Sequence, residues 1–141
     1  MVRNFALSLV AVLVLIQFVP VRRDNPPATG SVTAPPAVTS ILRRSCYDCH
    51  SNDTIWPWYS HVAPVSWLVA SDVHGGRRHL NFSEWEGAPN AAQRKHVSEL
   101  PKEVKSGDMP LCYYLWLHPA ARLSADDVTQ LSSWAESLSS P

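Results

Sequence analysis

The chain has 141 residues, 45% of them hydrophobic, which suits one domain with a real core and leaves too little for two. Twelve Lys+Arg balance twelve Asp+Glu, so no net charge draws the chain to nucleic acid. Six tryptophans are many for this length and fit either a compact helical core or one built around something bulky.

In chain order, the first element is an uncharged apolar run over residues 4–21, between Arg3 and Arg22-Arg23. As one helix it would reach roughly 27 Å, just enough to cross a bilayer. Its end, Gln17-Phe18-Val19-Pro20-Val21, lacks the small residues of a cleavage site, so an uncleaved anchor is expected over 1–21. Residues 22–36 carry paired prolines, Gly, Ser and Thr, the composition of an extended tether. The folded domain is expected over 37–141.

Within that domain the signals are helical, and the expected fold class is all-α. Val38, Ile41 and Leu42 share a helical face that leads into Cys46-Tyr47-Asp48-Cys49-His50. This C-x-x-C-H is the c-type haem attachment signature. Two thiols one helical turn apart can reach the two vinyl groups on one porphyrin edge, each forming a thioether. His50 then stands under the iron as proximal ligand. Other readings of the pair are weaker. A thioredoxin-like dithiol wants a βαβ context, zinc wants four ligands, and a Cys46–Cys49 disulfide closes too small a loop to stabilise much.

Trp56-Pro57-Trp58-Tyr59 offers aromatics either to a haem edge or to ordinary core. Pro64 suits the first turn of a helix holding Trp67, Leu68, Ala70 and Val73, which is expected to stop near Gly75-Gly76. Arg77, Arg78 and His79 read as a solvated basic turn, or as partners for haem propionates. Ser83 is a candidate cap for a short helix with Glu84 and Glu86 in its first turn. Ala91 to Val104 has helical character, with a break or restart expected at Pro101. Met109, between Gly107-Asp108 and Pro110, is the methionine candidate for the sixth iron position. A packed core methionine is the plainer alternative. His118 is the best of the remaining histidines for the same position. Cys112 is left over, either buried and inert or open to an intermolecular disulfide. Ser124 is expected to cap a last helix, with Val128, Leu131, Ala135 and Leu138 on one face and Trp134 beside it.

The set Ile41 through Asn52, Thr54, Trp56-Pro57-Trp58-Tyr59, Ala63-Pro64, Trp67, His79-Leu80-Asn81-Phe82-Ser83, Trp85, Met109-Pro110, Tyr114, His118 and Leu123-Ser124 resembles the bacterial haem-binding domain family with a single C-x-x-C-H. The resemblance spans roughly residues 38–135. It implies a small cytochrome-c-like helical domain, exported or anchored, with Cys46 and Cys49 as attachment points, His50 as proximal ligand and Met109 opposite. It names no partner.

The resulting expectation is a monohaem c-type protein with one covalent haem c, a single-pass inner-membrane anchor and its haem domain outside the cytoplasm. With both axial positions filled it is more an electron carrier than an enzyme, and it requires a redox partner. The alternative is a haem-based sensor or gas-binding module with an open or weakly held sixth position. A peroxidase would need a distal acid–base pair that the sequence does not display.

Overall fold

The N-terminal apolar run folds as α1, Val2–Leu15, and tightens into a 3-10 turn at Ile16–Phe18 before Pro20 ends it. A computed structural model of the chain describes residues 2–85 and 90–139. Fourteen residues of α-helix span roughly 21 Å, against about 30 Å of bilayer hydrocarbon. No helix among the described residues is long and apolar enough to cross a membrane. The expected transmembrane anchor is therefore corrected, and with it the single-pass inner-membrane placement. The physical reason lies at Gln17. Its side chain accepts from the Ala63 N–H at 2.9 Å and donates to the Ala63 carbonyl at 3.1 Å, so the end of the run is fastened to the folded body.

The segment between α1 and the next helix is extended, and hydrogen bonds lay it along the domain. The N–H groups of Thr29 and Gly30 donate to the Ser83 carbonyl, that of Val32 to Phe82, and the Asn25 amide to Thr54. Proline at the first turn then opens α2, Pro36–Ser45, whose buried face is Val38, Ile41 and Leu42, as the spacing predicts. A one-turn helix, α3 (Tyr47–His50), follows directly.

After a 3-10 turn at Trp58–His61, α4 runs Val65–His79 from Pro64. It passes through Gly75-Gly76 instead of stopping there. Glycine is needed at 76 because α3 lies against it: an added Cβ would meet the Cys49 carbonyl oxygen at 2.5 Å. Residues 81–85 form a turn, not the expected Ser83-capped helix, and Glu86 lies outside the described residues. The Ser83 hydroxyl is buried and accepts from the Asn52 N–H at 2.9 Å, a long-range partner that outcompetes a local cap.

Helix α5, Ala91–Ser106, is continuous through Pro101. It is held at both ends, by an Asn90/Gln93 capping box and by Gly107 in the left-handed conformation (φ 80°). Buried Val97 and Val104 fix both halves against the core. A one-turn α6 (Tyr114–Leu117) and a 3-10 turn (Pro119–Ala121) lead to α7, Ala125–Ser139. Ser124 caps α7 as expected, its hydroxyl accepting from the Asp127 N–H while the Asp127 carboxylate accepts from the Ser124 N–H. Leu131, Trp134 and Ala135 of α7 meet α2 and α5 around Phe82 and Trp85. The fold is all-α; no strand occurs among the described residues.

Candidate functional site

Cys46 ends α2, and its carbonyl accepts from the N–H groups of Cys49 (3.2 Å) and His50 (2.9 Å). That single turn puts both thiols and the imidazole on one wall of a cleft of about 530 Å³. The volume lies inside the range of about 300–1,000 Å³ typical of small-molecule and cofactor sites. The loop after α5, carrying Met109, and α6 line the same cleft. Met109 is held there by the cap of α5, since its N–H and that of Asp108 both donate to the Glu103 carbonyl. Cys46, Cys49, His50, Met109 and His118 thus all line the same cleft.

The state of His50 follows from its partner. Its Nδ1 lies 2.9 Å from the Leu80 carbonyl, which can only accept, so Nδ1 carries the proton and Nε2 keeps a free lone pair. Burial pulls the imidazole below its usual pKa range, opposed by that carbonyl, and so favours the neutral, ligating form. A fixed Nδ1–H···O=C bond is the usual support of a metal-bound histidine.

Burial pushes the Cys46 and Cys49 thiols up to about 12, with Cys49 beside Cys46 and Asp48 beside Cys49 adding to the effect, and Arg44 and Arg77 opposing it. Reactive dithiols work the other way, through a depressed thiolate pKa. The pair lacks that depression.

A tight set of bonds holds the Cys46–His50 turn. The Phe82 N–H donates to the His50 carbonyl at 2.7 Å, the Thr54 hydroxyl to the Asp48 carbonyl at 2.7 Å, and Arg77 Nε to the Ser51 carbonyl at 2.8 Å. Arg77 also donates to the Asp24 carbonyl, Asn25 Oδ1 and the Thr54 hydroxyl. It is a structural clamp, and none of Arg77, Arg78 and His79 lines the cleft. Of Trp56-Pro57-Trp58-Tyr59, Pro57 and Tyr59 line it while Trp58 faces outward. Cys112 is exposed, not buried.

The cleft walls carry apolar side chains left open: Ile55 is 79% exposed, Trp116 78% and Leu117 63%. Exposed apolar surface around a concavity is what a flat, largely hydrophobic group would cover. A few polar groups converge inside it. The Tyr114 hydroxyl donates to Asp48 Oδ2 at 2.8 Å, Tyr59 meets His118 Nε2, and the Tyr114 and His118 rings stack at 4.2 Å. Tyr113 donates to Asp72 at 3.0 Å, and its hydroxyl is pushed up to about 12 by burial and by that carboxylate. Sequence reasoning missed Asp48, Asp72 and Gly76, whose roles depend on neighbours distant in the chain.

Comparison with known families decides the identity. The model of the haem-binding domain family matches residues 11–137. The chain belongs to the haem-binding domain family. Haem is thus the group this family fold binds, and the cleft suits it on three counts: a neutral, oriented imidazole, two half-buried thiols beside it, and open apolar walls. The family match includes the extended segment 22–36 that lies along the domain. No match was found among curated proteins or solved structures.

Proposed function

We propose that this haem-binding domain is a monohaem, c-type, cytochrome-c-like electron carrier. Cys46 and Cys49 would hold one haem through thioethers, and His50 Nε2 and Met109 Sδ would bind its iron. The observation that carries this reading is the convergence of Cys46, Cys49, His50 and Met109 on one cleft, with the Nδ1 proton of His50 committed to Leu80. The bound group would supply a one-electron iron couple. The chain's own residues do the rest. Leu80 orients the imidazole, the cap of α5 presents the thioether, and Ile55, Trp116 and Leu117 exclude water. A partner protein would give or take the electron at the open edge.

A Met109→Ala chain tests the axial assignment. The expected result is loss of the weak long-wavelength band of an iron–methionine bond and a lower reduction potential, because thioether ligation raises it. An unchanged spectrum and potential would remove Met109 from the site.

A second reading, a gas-binding sensor, is favoured by the Tyr59–His118 contact and the Tyr114–Asp48 pair, which line the cleft with hydrogen-bonding groups. It requires a weakly held sixth position. Rapid carbon monoxide binding to the reduced native protein would support it over the carrier, and inertness would count for the carrier.

A further inference from the structure

Away from the cleft, His79 ends α4, and His96 and Glu99 sit three residues apart on one face of α5. His79 Nε2 lies 3.2 Å from Glu99 Oε2, and His96 Nδ1 lies 3.6 Å from the same oxygen. The two imidazole rings are 4.0 Å apart, and the three ligand atoms all fall within 4.8 Å of one another. Three donors bound to one tetrahedral ion at about 2.0–2.1 Å would stand about 3.3–3.4 Å apart, a value that the two Glu99 contacts bracket at 3.2 and 3.6 Å. We propose that His79, His96 and Glu99 form a second metal site, separate from the haem cleft, that takes a borderline divalent ion, zinc above all.

The donor types carry the choice. Two imidazoles and one carboxylate suit zinc and its first-row neighbours, whereas calcium and magnesium prefer an all-oxygen shell. Three protein ligands leave a fourth position for water. A local hydrogen-bond account of the cluster is incomplete. His79 can donate to Glu99 at 3.2 Å, but the His96 Nδ1 atom is buried and has no hydrogen-bond partner. A buried imidazole nitrogen without a partner is costly, and a cation bound to its lone pair removes that cost. The site would also cross-link α4 to α5 just before Leu80, whose carbonyl orients His50.

The test uses the full chain with its haem in place, so that Cys46, Cys49 and His50 are engaged, and carries Cys112→Ser to remove the exposed thiol. Zinc chloride is titrated calorimetrically into this parent and into His96→Ala and Glu99→Gln derivatives. The proposal expects one zinc per chain in the parent. It expects each derivative to lose more than the ~10-fold in affinity typical of removing a supporting contact. Because a derivative can fail to fold, X-ray absorption at the zinc edge of the parent gives an independent reading: two imidazoles with oxygen ligands are expected. No zinc uptake by the parent, equal affinity in folded derivatives, or a zinc edge without two imidazoles would overturn it.

Discussion

At the scale of single residues, the Cys46–His50 turn depends on an atom that is missing. Gly76 has no Cβ, and one placed there would come within 2.5 Å of the Cys49 carbonyl oxygen and 3.2 Å of the Cys49 Cβ. The obstacle is backbone, so the clash cannot be relieved by turning a side chain. Gly76→Ala is expected to push α3 away from α4 and destabilise the fold by about 1–3 kcal/mol, the usual range for overpacking. Urea denaturation measures that loss. Incomplete haem incorporation is the expected companion, because Cys49 and His50 would move together. The spacing of Cys46, Cys49 and His50 was readable in the sequence because the chemistry is local, within one helical turn. Gly76 was not readable as part of the site, since its neighbour comes from another helix.

At the scale of elements, α7 illustrates what periodicity can and cannot tell. Its face of Leu131 and Ala135, with Val128 and Leu138 alongside, and its Ser124 cap were legible, because cap and heptad-like spacing are properties of one segment. The Arg44–Asp127 contact at 2.8 Å, which ties α2 to α7, was not. The Ser124 backbone N–H, the Ser124 hydroxyl and Arg44 hold the Asp127 carboxyl below the usual carboxylate range, the backbone bond contributing most. Asp127→Ala is expected to cost about 1 kcal/mol, the typical value of a helix cap. A carboxyl depressed in the folded state stabilises above its unfolded value and loses that contribution as protons return. The stability gap between parent and variant should therefore hold constant from neutral pH to about pH 5, and close as pH falls below about 4. Thermal unfolding at stepped pH follows it. The ends of α1 and α4, and the Ser83 turn, escaped the sequence reading for one reason. Gln17 is claimed by Ala63, Gly76 by Cys49 and Ser83 by Asn52, and each long-range contact overrides a local signal.

At the scale of the whole molecule, Phe82 connects core and site. Its ring stacks on Tyr47 at 5.6 Å and on Trp85 at 6.3 Å, and its N–H holds the His50 carbonyl. Phe82→Ala should cost about 3–5 kcal/mol by opening a cavity between α2, α5 and α7. It should also loosen the haem turn, read as a lower urea midpoint and a broadened haem spectrum. Of the six tryptophans, Trp85 and Trp134 fill the core, while Trp116 stands open at the cleft. Covalent attachment through Cys46 and Cys49 is the claim on which the rest depends. The most direct test is the mass of the intact chain, matured in a host that attaches haem c and extracted with acidified acetone. The account predicts a chain heavier by one haem, with Cys46→Ser plus Cys49→Ser abolishing the gain. A chain at its bare sequence mass, with all haem in the extract, would contradict it.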